Sequence, residues 1–304
     1  MNNGNTAALF AGQGILWRGT LETSPLFDHI RDTFREIDRV SVDRFGLSLS
    51  RDLLKNDLYE ELGAAPPELI QLAVFGYSVA AYTCRESHGW RPAVIVGHGF
   101  GEIIAMVAGD AFSVREGAEI VCERAGALNK FARGSGSMIT LAVGAERAQS
   151  LVSTVGADHA SVAAENSETQ TVVSGSYTAL DGIVRIANAS NIGVKRLAAP
   201  YPLHCEPLMR AAAEELAKRL EKLIGCAPRI PVYSPILGSY YKEIDSPGDT
   251  IAAHLMKPIR FLTAVRTLFA HGVNEFVECG GLSGLAQSAG HVSTGVTAAG
   301  GLAA

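Results

Sequence analysis

Six consecutive residues, Gly97-His98-Gly99-Phe100-Gly101-Glu102, are where chemistry would centre in this chain. Before them runs Ala93-Val94-Ile95-Val96, rich in β-branched residues, and after them a helical run through Ile103, Ile104, Met106 and Val107. Strand, sharp glycine turn and helix make the setting of a nucleophile elbow, whose G-x-S-x-G pattern holds a strained, exposed serine hydroxyl at a strand's carboxyl end. The flanking glycines serve close packing between strand and helix. Here the pattern is G-x-G-x-G, so the flanks are present and the hydroxyl is missing at Gly99. Loss of the nucleophile costs a triad-type enzyme about a millionfold in turnover, leaving only binding and oxyanion effects. A second glycine turn, Ala11-Gly12-Gln13-Gly14, closes the apolar run Thr6 to Phe10 and reads as another ligand-facing loop after a buried strand.

The elements that must hold these turns can be read along the chain. Pro66-Pro67 precedes a run from Glu68 to about Glu86 with apolar residues at Leu69, Ala73, Tyr77 and Ala80-Ala81, which predicts a core helix opened by proline. From Gly136 to Leu197 the pattern shortens. Strands are expected at 138–143, 160–164, 171–174 and 194–197, with helices near 145–155 and 177–189, an alternation that suggests a small ferredoxin-like α+β unit. A helix from about Pro207 to Leu223, a strand at 231–234, two helices after Gly248 and a last strand at 275–277 return the chain to the larger body. The expected fold is therefore α/β. An α/β-hydrolase-like large subdomain with a parallel sheet (residues 1–132 and 203–290) carries the small ferredoxin-like subdomain (133–202), and a small-residue tail (291–304) frays.

Composition bounds the function. With 304 residues, 47% hydrophobic and 19% charged, the chain has globular values and no apolar run near the roughly 20 residues of a membrane helix. The start lacks a basic segment followed by an apolar one, so no secretion is expected. Five cysteines, Cys84, Cys122, Cys205, Cys226 and Cys279, are odd in number and without CxxC spacing; this argues against disulfides and zinc and fits a reducing cytoplasm. Net charge is −5 with Lys and Arg spread along the chain, which leaves no nucleic-acid footprint.

Five pieces in sequence order resemble the family of malonyl-CoA:acyl-carrier-protein transacylases and polyketide synthase acyltransferase domains. They are Phe10-Ala11-Gly12-Gln13-Gly14, the elbow 97–102, Arg124, Val162-Ala163-Ala164-Glu165-Asn166 with Val172-Val173-Ser174-Gly175, and Pro202-Leu203-His204-Cys205. The resemblance runs from Phe10 to about Gln287. It implies two-step transfer of an acyl group from a coenzyme A thioester, through the elbow residue, to the phosphopantetheine thiol of an acyl carrier protein. It implies His204 as the base, the N–H groups of Gln13 and Phe100 as the oxyanion hole, and Arg124 as a fork for the distal carboxylate of a malonyl-type group. His98, Leu203 and Asn166 would line the substrate, and a carbonyl on the Ser234 strand would orient His204. No cofactor or metal is implied, because the substrate itself carries the coenzyme A or phosphopantetheine; membranes and nucleic acids are not expected partners.

Departures from the family pattern bear on each role. Ile15-Leu16-Trp17 replaces the polar residues that usually follow GQG, Tyr201-Pro202-Leu203 matches neither usual extender-unit pattern, and Gly280-Gly281-Leu282 replaces GPG. His204 as a plain core histidine, Arg124 as a surface arginine, and Lys195, Arg196 and Arg210 as a solvated basic face are the simpler accounts of those residues. Cys205 offers a thiol beside the base, useful only if its surroundings favour the thiolate. Two functional readings stand open at Gly99. One is an acyltransferase, either an engineered trapped form or a natural variant in which His204 assists direct transfer or hydrolysis. The other is a catalytically dead relative that binds a carrier protein or synthase partner.

Overall fold

A run of apolar residues without alternation suits a strand covered on both faces, and β1 (Asn2–Phe10) is such a strand: Ala7 to Phe10 are fully buried. In the computed structural model, which describes residues 2–12, 24–54, 65–156, 158–242, 247–280, 284–290, 292 and 297–299, β1 lies between parallel neighbours β2 (Arg91–Gly97) and β9 (Glu275–Glu278). Beyond β2 comes β7 (Val232–Ser234), also parallel, then the antiparallel edge β8 (Ser239–Tyr240). Beyond β9 lies β10 (Thr297–Ala299). Within the expected tail, 291–304, the described residues 297–299 pair in parallel with 275–277, because the edge of β9 leaves backbone groups that they can satisfy.

Helices cover this sheet. The Pro66-Pro67 signal opens α3 (Pro67–Ser87), which packs with α1 (Phe27–Phe45) and α5 (Val114–Phe131), while α2 (Leu49–Asp52) caps one end. A full capping box starts α5, with the Ser113 side chain taking the Glu116 N–H and Glu116 returning to the Ser113 N–H. This helix carries Arg124. After the elbow runs α4 (Gly101–Ala108), every residue of which is buried.

The second sheet has the order β4 (Ala160–Ser167), β5 (Gln170–Gly175), β3 (Ser137–Leu141), β6 (Val194–Arg196), all antiparallel. With α6 (Ala145–Ser153) and α7 (Tyr177–Ala189) this is the expected ferredoxin-like βαββαβ arrangement. It has its own core, including Ile139, Leu141, Leu151, Val173, Leu180 and Ile183. The chain then passes through α8 (Glu206–Arg219), four residues shorter at its end than the expected helix, and through α9 (Pro247–Ala253), α10 (Phe261–Ala270) and α11 (Leu285–Gly290). Ile259, just before α10, exchanges backbone hydrogen bonds with Ala163 and Glu165 and so ties β4 to the larger body.

Candidate active site

The elbow owes its shape to absent side chains. A Cβ on Gly97 would stand 2.3 Å from the Glu102 nitrogen and one on Gly101 would stand 2.2 Å from the Phe10 carbonyl oxygen, so neither position admits any side chain. Gly99, between them, has φ +59, in the left-handed region. The turn is closed by His98 N–H donating to the Phe10 carbonyl (2.8 Å) and Glu102 N–H donating to the Gly99 carbonyl (3.0 Å).

His204 faces this turn. A Cβ on Gly99 would lie 3.2 Å from His204 Nε2 and 3.0 Å from Ile259 Cδ1. His204 itself has φ +63, a rare and costly backbone for a residue with a side chain, of the kind that collects at functional sites. Its N–H donates to the Leu255 carbonyl, and Nδ1 lies 2.8 Å from the Lys257 carbonyl, a partner that only accepts. Nδ1 therefore carries the hydrogen and Nε2 presents a lone pair to the elbow. Burial pushes the His204 pKa down to about 3, so the ring is neutral across the physiological range.

The orienting carbonyl is thus not on the Ser234 strand, as the resemblance implied. Ser234 is fully buried on β7 and donates its hydroxyl to Glu102 Oε1 (2.9 Å), while the turn that follows α9 brings the Lys257 carbonyl under the imidazole. The Phe100 N–H, at the start of α4, has no acceptor among the described residues, as an oxyanion donor requires. Gln13, the expected second donor, lies outside the described residues, as do Ile15, Leu16 and Trp17.

Arg124 reaches the same place from α5. Its guanidinium sits over the Phe100 ring, 5.2 Å from the centroid, and Nη1 donates to Gln71 Oε1 at 2.5 Å. Only 4% exposed, it forms no ion pair with any described residue, and burial lowers its pKa to about 10, so the charge persists at neutral pH. A buried cation without an anionic neighbour is costly unless a ligand supplies the charge. The plain surface-arginine account fails.

His98 and Asn166 come together across the two sheets. His98 Nε2 lies 2.8 Å from Asn166 Oδ1 on β4, and Asn166 donates onward to Gln170. Burial lowers the His98 pKa, with the Asn166 bond working against that shift. Leu203 is 7% exposed and packs in the main core, so its side chain offers a substrate little surface. Tyr201 in the same loop donates to Asn129, whose amide reaches Glu68. Cys205 is fully buried with its thiol pKa raised by desolvation, and it accepts a bond from Ser161 at 3.5 Å; it holds no thiolate to replace the missing serine.

Sequence reasoning missed a buried polar cluster behind the elbow. Glu102, fully buried, accepts from the Ser234 hydroxyl, the Ile236 N–H (3.3 Å) and the Tyr241 hydroxyl (2.6 Å), and Tyr241 is 2.7 Å from His254 Nε2. Burial raises the Glu102 pKa to about 7 and lowers that of His254 to about 3. Glu102 was visible as the last residue of the elbow motif; Tyr241 and His254 stand in no motif. Among the described residues no cluster could hold a metal ion, and no described helix is long and apolar enough to cross a membrane.

A largely parallel sheet whose glycine elbow faces a neutral histidine and a buried arginine, joined to a second, ferredoxin-like sheet, defines an α/β protein of two parts. The chain belongs to the acyl transferase domain family, whose model matches residues 8–292. It is similar to the spectinabilin polyketide synthase system protein NorA' of Streptomyces orinoci, 30% identical over 285 residues, which are 91% of this chain and 8% of that protein. Hispidin synthase of Neonothopanus nambi is 29% identical over 272 residues, 87% of this chain and 16% of that protein. The chain thus spans less than a fifth of the length of these relatives. Among solved structures, the malonyl-CoA:acyl carrier protein transacylase of Xanthomonas oryzae superposes with TM-score 0.87 at 26% identity, covering 99% of this chain and 95% of that one.

The buried groups predict a pH-dependent stability. His204 and His254, depressed from 6.5 to about 3, refuse protons that the unfolded chain takes up, so their contribution is present above 6.5 and lost as pH falls toward 3. Glu102, raised from 4.5 to about 7, acts oppositely: its contribution is present below 4.5 and lost as pH rises through 7. Between these limits the buried histidines, His98 being lowered in the same direction, outweigh the one carboxyl by at least one proton, at least about 1.4 kcal/mol per pH unit of stability gained on raising pH from 5 to 6. Glu102→Gln removes the opposing carboxyl and should steepen that slope by about one further proton, about 1.4 kcal/mol per pH unit. Denaturant titrations at pH 5 and 6 check both, and equal stability of the parent at the two pH values would contradict the neutral buried histidines.

Proposed function

We propose that this chain transfers acyl groups in fatty-acid or polyketide assembly, between thioesters of coenzyme A and of the phosphopantetheine arm of an acyl carrier protein, with a malonyl-type group preferred. The observation that carries this reading is the His204 ring: Nδ1 is committed to the Lys257 carbonyl and Nε2 lies 3.2 Å from the place of a side chain at position 99. The names of the Xanthomonas transacylase and the Streptomyces synthase protein support the substrate and the carrier partner.

With glycine at 99, the acceptor attacks the bound thioester directly. His204 Nε2 takes the proton of a water, thiol, amine or alcohol as its heteroatom adds to the thioester carbonyl carbon. The oxyanion forms against the Phe100 N–H, with Gln13 as the expected second donor. Collapse of the tetrahedral species breaks the carbon–sulfur bond, and the departing thiolate receives the proton back from His204. A base with so low a pKa is a weak one, which makes this route slow. Arg124 holds the distal carboxylate and His98 with Asn166 borders the acyl chain. Such a route needs no resident cofactor. A second reading, a carrier-binding protein without turnover, is favoured by Gly99 itself.

Three experiments separate these readings. Gly99→Ser is expected to load a malonyl group from malonyl-CoA, seen as added intact mass. The new side chain must displace Ile259 Cδ1 by a few tenths of an ångström and bear about 1 to 2 kcal/mol of left-handed strain; a serine variant that no acyl-CoA modifies would show that the site is not preserved. The Gly99 protein should release coenzyme A thiol slowly and at a rate flat from pH 8 to 5, because His204 stays neutral, and His204→Ala should abolish the release. Equal rates in the two proteins leave only the binding role. Malonyl-CoA should bind roughly tenfold to a hundredfold more tightly than acetyl-CoA, from a charge-assisted fork worth about 1.5 to 3 kcal/mol. Calorimetric titration of Arg124→Ala should find that preference erased, and equal affinities in the parent would assign Arg124 another purpose.

A further inference from the structure

Elbow and base come from distant parts of the chain, and among the described residues every hydrogen bond of His204 goes to one short turn. The Leu255 carbonyl accepts its backbone N–H, the Lys257 carbonyl accepts at Nδ1, and the His254 carbonyl also faces the ring. The turn 254–257 is therefore the seat of the base. Its own N–H groups donate to the end of α9: His254 to Ile251, Leu255 to Ala252, and Met256 and Lys257 to Ala253. One side chain of the turn reaches back to the elbow. His254 Nε2 lies 2.7 Å from the Tyr241 hydroxyl and 3.3 Å from Glu102 Oε2, and Glu102 donates its own N–H to the Gly99 carbonyl.

We propose that His254, through Tyr241 and Glu102, is a positioning residue for the base, fixing the turn that seats His204 at its distance from the elbow. The proposal rests on the reading of His204 as the base. It closes a circuit: Gly99 to Glu102, to Tyr241, to His254, along the turn to His204, whose Nε2 lies 3.2 Å from where a Cβ at position 99 would stand.

The protons in this circuit are coupled, because the Tyr241 hydroxyl has one hydrogen for two neighbours. When Glu102 is ionised, Tyr241 donates to it and accepts from His254 Nε2–H, leaving His254 Nδ1 bare. When Glu102 is protonated, its O–H donates to Tyr241, Tyr241 donates to His254 Nε2, and Nδ1 carries the hydrogen. His254 Nδ1 meets no partner among the described residues, so nothing opposes either tautomer. The Ser234 hydroxyl and the Ile236 N–H also donate to Glu102, and burial first, then the positive charges of Arg124 and Lys257 and any charge on His204, hold His254 neutral.

The test reads tautomers in the full-length protein by long-range proton–nitrogen NMR of labelled histidine, a readout that neither acyl transfer nor stability moves. The parent is expected to keep His204 as Nδ1–H from pH 5 to 8, while His254 passes from Nδ1–H to Nε2–H as Glu102 ionises near pH 7. Tyr241→Phe cuts the circuit and should shift the His204 tautomer ratio by roughly fivefold toward Nε2–H, the effect of weakening one buried hydrogen bond. Glu102→Gln, whose amide accepts from Ser234 and donates to Tyr241, should preserve His204 and hold His254 as Nδ1–H at every pH. A folded Tyr241→Phe protein with an unchanged His204 tautomer overturns the proposal. Should that variant fail to fold, the parent and Glu102→Gln decide: a His254 tautomer that ignores pH in the parent, or still follows it in Glu102→Gln, overturns it equally. Failure of the thiol-release experiment with His204→Ala would refute the base and leave these tautomer results standing, so the two failures are distinguishable.

Discussion

At Gly97 and Gly101 the elbow has no room for a methyl group, because the turn lies directly against the Phe10 carbonyl and against the first residues of its own helix. That closeness forces the chain to reverse within three residues, and the reversal requires the left-handed backbone found at Gly99. It also leaves the N–H of Phe100, at the amino end of α4, without an acceptor among the described residues. A methyl at either flank would lift the turn off β1 and carry the oxyanion donor, the Glu102 anchor and the position opposite His204 with it.

Around this turn the protein buries charge and polarity that a packed core would exclude. Arg124 keeps its charge without an ion pair among the described residues, donating to Gln71 and lying over the Phe100 ring, and Glu102 sits fully buried among three donors. Leaving such groups without partners costs more than their pairing returns. The cost falls within one small volume, and the groups belong to α4, α5, the segment after β8 and the turn after α9. Packing alone would be served better by apolar side chains at these places, which is the cost that the proposed acyl-transfer reading attributes to a bound carboxylate and to the geometry between elbow and base.

Much of this was legible in the sequence because it depends on local rules. Glycine spacing at 97–101, the proline start of α3 and the short strand and helix alternation of 137–196 each report a nearby physical constraint, and the strand order of the small sheet follows from its βαββαβ path. What escaped depends on long-range approach. Nothing in His254 or Tyr241 distinguishes them from ordinary core-facing residues until the turn after α9 folds beneath His204, and the choice between the Ser234 strand and Lys257 as the source of the accepting carbonyl is a matter of register between segments more than twenty residues apart. The edge strand at 297–299 escaped for a related reason, since small residues carry no period and pair only because β9 offers an open edge.

The backbone at positions 99 and 204 bears differently on the missing hydroxyl. Left-handed geometry costs a residue with a side chain about 1 to 2 kcal/mol and costs glycine almost nothing, so Gly99 releases the strain that a serine would have held there. His204 holds the same kind of strain at φ +63 and has not been relieved of it. Its ring is also buried, neutral and committed at Nδ1, each a further cost that a core leucine would avoid. A scaffold that had only to bind a partner at its surface would gain stability by giving up His204 as it gained it at Gly99. The asymmetry between a relaxed elbow and a strained base is what the proposed reading expects, with His204 Nε2 as the base toward the space before it and the Phe100 N–H as the oxyanion donor.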